Sequence, residues 1–333
     1  MKFGPVAVSA AEGAILAHSL DLPDGSRLRK GLRLGKVEME RLDWYGVEEV
    51  VAARLEAGDV HEDAAADALA RALVPELDGL RLGVPGTGRV NVFAETTGVA
   101  EIDAKKINAV NALHPMITVA TVPPWQRMAV RGMVATVKVI SYAVPGAALE
   151  AACAAGQGAL RLRPVTRRRA TLIQTFVGEE LQGKGPEAVA KRLHRLGADL
   201  VAESNVPHEE EALSLALAAA REAAQSDVIL ILTGSATSDP DDVAPAALRH
   251  AGGHMERFGM PVDPGNLLFF GDLAGLPVIG LPGCARSPAL NGADWVLERI
   301  LCDVPVTDAD VAAMGVGGLL KEIPTRPQPR DPK

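Results

Sequence analysis

The segment that most restricts how this chain folds is Asp227-Val228-Ile229-Leu230-Ile231-Leu232, an apolar run with no alternation of polar and apolar positions. Such a run fits a strand buried on both faces of a parallel sheet. It leads directly into Thr233-Gly234-Ser235-Ala236-Thr237-Ser238-Asp239-Pro240-Asp241-Asp242, a loop of small, hydroxylated and acidic residues, and then into an apolar helix pattern. Open α/β sheets bind ligands at the carboxyl ends of their strands. A helix starting near Asp242 adds unpaired backbone N–H groups and the positive end of a dipole. An anion such as a phosphate suits this place.

The neighbouring sequence repeats the unit. Strands are predicted over residues 171–175, 199–205, 227–232, 277–281 and near 267–270, and helices over 186–196, 209–224, 242–252 and 288–302. Strands alternating with helices of this length imply βαβ crossovers. The predicted fold class is therefore α/β, a doubly wound, mostly parallel sheet, preceded by smaller mixed α/β and strand-rich units. The predicted divisions are residues 1–75, a small mixed unit; 76–165, a mixed α/β domain; 166–304, the ligand-binding α/β domain; and 305–333, an extension whose end (Pro324 to Lys333) has the proline-rich, charged composition of a linker.

Within the first two units, Pro23-Asp24-Gly25 reads as a turn, residues 37–46 as a short helix and 47–55 as a strand. Residues 60–73 are alanine-rich with acids at the start, a helix signature. Short β-branched runs at 117–122 and 134–140 read as strands, and 145–155 as a helix. Arg161 to Arg169 places five arginines at the expected boundary. That run fits a solvated linker or strand edge, or else a phosphate site.

At 333 residues, 48% hydrophobic and 23% charged, the chain can bury more than one core. Its net charge of −8 argues against a broad nucleic-acid footprint. Cys153, Cys284 and Cys302 are scattered, which points away from a disulfide framework or structural zinc and towards a reducing compartment. No apolar stretch is long enough to span a membrane, and the expected location is cytoplasmic.

The loop Thr233 to Asp242, together with the later stretch DPGNLLFFGDLAGLPVIGLPGCARSPALNG, resembles the two signature blocks of the molybdopterin-binding domain of molybdenum-cofactor biosynthesis. The resemblance covers roughly residues 170–302. Thr233 falls on the leading Thr or Ser of the first block, Gly234 on a glycine and Asp242 on the closing Asp. Pro264-Gly265 and Leu281-Pro282-Gly283 fall on the proline-glycine pairs of the second block. Ser235 stands where the related molybdotransferases and adenylyltransferases carry a second glycine. Cys284-Ala285-Arg286-Ser287 stands where the molybdotransferases carry Asn-Pro-x-Ser, and His208 where an acid is common. The whole-chain pattern is similar to the molybdopterin-binding half of bacterial proteins fused to a cofactor nucleotidyltransferase.

What the resemblance implies is a site for molybdopterin or the finished molybdenum cofactor, a pterin with a dithiolene and a terminal phosphate. The implied ligand contacts are Thr233, Gly234, Ser235, Ala236, Thr237, Pro264, Gly265, Asn266, Pro282, Gly283, Cys284, Arg286 and Ser287. Hydroxyls and loop N–H groups can cradle phosphate, and the guanidinium of Arg286 matches a phosphate or pterin edge. Asp239 and Asp242 are the candidate catalytic acids, Asp242 also as a Mg²⁺ ligand or simply a helix cap. Cys284, beside Arg286 and ahead of a helix, is either a small core residue or a thiolate able to meet molybdenum. Thr175 and Glu180 weakly match a TGDEL-like segment. His250 and His254 read as surface residues.

The implied function is binding of the cofactor during biosynthesis or maturation and its presentation for nucleotide attachment or transfer. The alternatives are molybdate insertion into adenylylated molybdopterin, which would make the chain a transferase, or a related fold reused for nucleotide processing. The implied partners are the pterin or its nucleotide derivative and a nucleotidyltransferase domain or protein, with self-association and with neither nucleic acid nor membrane. Asn91, Lys106, Asn111 and Lys138 are possible contributors from the first half.

Overall fold

The structure is a computed structural model and describes residues 1–178, 185–263, 265–287 and 289–320. The chain separates into two compact units, one of residues 1–96 and 100–162 and one of residues 97–99 and 163–333. The ranges 1–75 and 76–165 thus fall almost wholly in the first unit.

The first unit contains two cores. In one, the strands Lys2–Ala7, Glu49–Arg54 and Ile15–Leu16 form a small antiparallel sheet around Val8, Leu16, Leu34, Leu42 and Val50. The predicted turn is present: Gly25 adopts φ +80°, a left-handed conformation that glycine accepts without strain, between the paired strands Leu20–Asp21 and Arg27–Leu28. In the other core, the helix Glu62–Leu73 buries Ala65, Ala66, Leu69, Ala70 and Leu73 in one cluster with Val90, Val92, Val137 and Val139 of the strands Arg89–Ala94 and Met133–Val139. It begins two residues later than the alanine pattern suggests, because Asp59–His61 pairs as a strand with Ala143–Pro145.

The second unit carries the predicted sheet. Its elements are β1 (Arg169–Phe176), α1 (Gly185–His194), β2 (Asp199–Pro207), α2 (Glu210–Glu222), β3 (Val228–Leu232), α3 (Val243–His250), β4 (His254–Met260), β5 (Asn266–Leu273), β6 (Leu276–Leu281) and α4 (Gly292–Leu301). The strand order is β2-β1-β3-β6-β5-β4. The first four strands are parallel, and β5 and β4 close the far edge antiparallel. All five residues of β3 are buried. Ile229 and Ile231 join Leu213 and Leu217 of α2 and Ala247 and Leu248 of α3 in one core, while Leu230, of opposite parity, is buried on the other face. The non-alternating sequence of β3 is the direct result of this double coverage.

Two predictions need correction. The helix expected from residue 288 begins at Gly292, because Asn291 caps it: Asn291 Oδ1 accepts the Ala293 N–H at 3.0 Å, and Asp294 Oδ2 accepts the Asn291 N–H at 2.8 Å. The strand β4 has no counterpart among the predicted elements. Its pairing slips between Met255 and Arg257 and again between Phe258 and Met260, which scrambles the period-2 signal. In the arginine-rich run, Arg167 is paired with Asp303 and Arg169 with Asp227, both at 2.8 Å. The tail Pro324 to Lys333, Glu180 and Pro264 lie outside the described residues.

Candidate ligand site

The strands β3 and β6 are parallel neighbours, so the loops that follow them emerge side by side at the carboxyl edge of the sheet. One hydrogen bond ties them together: Arg286 Nη2, in the short turn Gly283–Arg286 after β6, donates to the Thr233 carbonyl at the end of β3, at 2.8 Å. Burial lowers the pKa of this guanidinium from its ordinary value.

The first loop is held from β1. Thr175, fully buried, accepts the Gly234 N–H on Oγ1 at 2.9 Å and hydrogen-bonds His208 Nδ1 at 2.8 Å. A β-carbon at Gly234 would lie 2.7 Å from the Thr175 carbonyl and 2.9 Å from Phe176 Cα, so glycine is required by the close approach of loop and strand. The Thr233 and Thr237 hydroxyls lie 3.4 Å apart and are buried, whereas Ser235, Ala236, Ser238 and Asp239 are exposed. Asp242 caps α3: its carboxylate accepts the Val243 N–H at 2.7 Å and the Ser238 N–H at 2.9 Å. These bonds, that from Ser238 foremost, hold its pKa below the usual carboxylate range. Asp239 accepts the Asp241 N–H at 2.8 Å.

The second loop, residues 282–291, is held by buried groups. Asn291 is 3% exposed, and its Nδ2 donates to Cys284 Sγ at 2.8 Å. Its Oδ1 also accepts from Asn266 Nδ2 at 3.1 Å, and this brings the start of β5 into the site. Asn266 Oδ1 in turn accepts the Leu268 N–H at 3.2 Å, so backbone groups fix the orientation of both amides. Gly265 has φ +91°, and a β-carbon added there would meet no atom within 4 Å, consistent with an open turn. A hollow of about 370 Å³ is lined by Gly283, Cys284, Arg286, Ser287, Ala289, Leu290 and Asn291. That size falls within the ordinary range for small-molecule sites.

The geometry therefore brings Thr233, Gly234, Thr237 and Asp242 to one loop and Gly283, Cys284, Arg286 and Ser287 to its neighbour, with Asn266 reaching in through Asn291. Among the described residues, no group of three or more His, Cys, Asp or Glu is arranged to hold a metal ion, which gives no support to Mg²⁺ at Asp242. His250 and His254 face different acids, Glu210 at 3.0 Å and Glu256 at 3.8 Å. In the first unit, Asn111 hydrogen-bonds both backbone groups of Val119, Lys106 donates to the Gln157 carbonyl, Lys138 to that of Thr87, and Asn91 pairs with the Thr136 hydroxyl, all structural uses.

Sequence reasoning missed Arg192, Asn291 and Asp294. The cap signature Asn-x-x-Asp was available for the last two. For Arg192 the signal was its place on the apolar stripe of α1 with Ala188, Val189 and Leu193.

Residues 182–301 match the family described as a probable molybdopterin binding domain, and residues 5–54 match a domain of unknown function. No curated protein matches the chain. Among solved structures, a molybdenum cofactor biosynthesis protein B is 14% identical with a TM-score of 0.32, over 42% of this chain and 96% of its own. A molybdopterin biosynthesis moea protein from Pyrococcus horikosii is 14% identical with a TM-score of 0.32, over 91% of this chain and 75% of its own. The protein CinA, with unknown function, from Thermoplasma acidophilum is 15% identical with a TM-score of 0.25, over 37% and 91%. The family match spans both loops and the elements from α1 to α4, and leaves out β1, whose Thr175 holds the first loop. Over residues 182–301, the second unit of this chain is thus similar to the probable molybdopterin binding domain family.

Proposed function

We propose that this chain binds molybdopterin or the molybdenum cofactor in the hollow lined by the second loop, beside the first, and presents it to a nucleotidyltransferase domain or protein for nucleotide attachment or transfer. The observation that carries this reading is the bond from Arg286 to the Thr233 carbonyl, which joins the two signature loops into one site. The residues fit the ligand's parts. The buried Thr233 and Thr237 hydroxyls and the exposed bend at Ser235 and Ala236 suit a terminal phosphate beside the start of α3. Arg286 commits one of its five N–H groups to Thr233 among the described residues, and a guanidinium fork suits a phosphate or a pterin edge. Cys284, exposed at the hollow, places a soft sulfur beside the ligand's dithiolene end. Asp242, as a cap, holds the first loop rather than the ligand.

The test is anaerobic titration with molybdopterin, followed by thermal unfolding and native mass spectrometry. Saturating pterin is expected to raise the melting temperature of the wild type, because binding to the native state alone stabilises it. It is expected to do so far less in Arg286→Ala. An unchanged melting temperature and no bound mass in the wild type would overturn the proposal.

A further inference from the structure

The most fully engaged side chain near the site lies outside both loops. Arg192, in the last turn of α1, is 4% exposed. A guanidinium carries five N–H donors in one plane, and here five acceptors meet them. Nε donates to Asp294 Oδ1 at 2.7 Å. Nη1 donates to the Ala285 carbonyl at 2.7 Å and the Ala188 carbonyl at 3.3 Å. Nη2 donates to the carbonyls of Ser287 at 2.6 Å and Ala289 at 2.9 Å. Three of these acceptors are alternate carbonyls of the second loop, a stretch whose regular structure among the described residues is one short turn, Gly283–Arg286.

The other end of α1 also bears on this loop. A β-carbon at Gly185 would lie 2.7 Å from Leu232 Cδ2, 2.9 Å from Gln174 Oε1 and 3.0 Å from Arg286 Nη1. The first residue of α1 therefore leaves room for the guanidinium that bridges the two loops, and its last turn grips the loop's backbone.

We propose that α1 is the splint of the ligand site, with Arg192 as its positioning residue. Arg192 does not touch the ligand. It fixes the carbonyls of 285, 287 and 289 so that Cys284, Arg286 and Ser287 stay on the wall of the hollow in the binding geometry. The proposal rests on the reading that this hollow takes the phosphorylated pterin.

Arg192→Lys keeps the charge opposite Asp294 but offers three tetrahedral donors in place of a planar fork. In this variant, amide hydrogen exchange at residues 283–290 is expected to rise roughly tenfold or more, with β3 and the interior of α4 keeping wild-type protection. The Kd for anaerobically prepared molybdopterin is expected to rise by about the same factor. Should Arg192→Lys fold poorly, Arg192→Ala with added methylguanidinium gives the second arm, and the cation is expected to restore both loop protection and affinity. A merely structural role would accelerate exchange across the whole unit and show no such local rescue, and that outcome overturns the proposal. So does unchanged loop exchange with unchanged affinity. If the wild type binds no molybdopterin but loop exchange responds as stated, the pterin reading falls and the splint stands.

Discussion

The two loops at the carboxyl edge of the sheet are built on opposite plans. The loop after β3 is held by its own cap at Asp242, by the buried hydroxyl of Thr175 in β1 and by Arg286 of its neighbour, and its bend is exposed. The loop after β6 is clamped by buried polar groups from three other elements: Arg192 of α1, Asp294 of α4 and Asn266 of β5. A loop can therefore be rigid without regular structure of its own, provided that buried donors from elsewhere meet its carbonyls. The first loop leaves its bend open to an anion, and the second has its carbonyls already engaged.

The comparison can be broken most forcefully at Arg192. Arg192→Met leaves the buried carboxylate of Asp294 without its ion pair, and the expected loss of stability is about 3–5 kcal/mol, read from denaturant midpoints. Gly234→Ala is expected to cost about 1–3 kcal/mol by forcing the first loop away from β1, measured in the same way. If it is neutral, the first loop is looser than described. Asp242→Ala is expected to cost about 1 kcal/mol as a lost cap. Its carboxyl is held below the usual range, so its stabilisation is present above a pH of about 4 and is lost as pH falls through the folded value. The gap between wild type and Asp242→Asn, followed from neutral to acid pH, is accordingly expected to narrow. The smallest effect is chemical. A brief alkylation is expected to label Cys284, which is exposed, ahead of Cys302, which is buried and pushed up to about 12, and of Cys153, which burial also raises. Peptide mapping checks the order.

The elements that carry strong periodicity or full burial were legible in the sequence. The run at β3 pointed to the parallel sheet, and the loop that follows pointed to the site, because backbone chemistry at a strand's carboxyl end is a local matter. The convergence of the two loops is beyond the reach of local pattern, since it depends on β6 lying beside β3, a pairing between residues about fifty apart. Strand β4 was invisible because its bulges break alternation. Arg192 was masked by its surroundings: in Lys191-Arg192-Leu193-His194-Arg195 it reads as one more charge on a solvated helix face. Only the coincidence of its position with the apolar stripe separates it from its neighbours, and that coincidence names a buried side chain without naming what it binds.

The pairing of Arg192 with Asp294 also constrains how this chain can change over generations. Either partner altered alone strands a charge inside the protein, whereas both altered together to well-matched apolar residues can leave the fold intact while the second loop loses its clamp. The pair therefore sits in a mutational valley. Descendants that keep a tight second loop must retain both residues, and those that abandon one are expected to have lost the other as well.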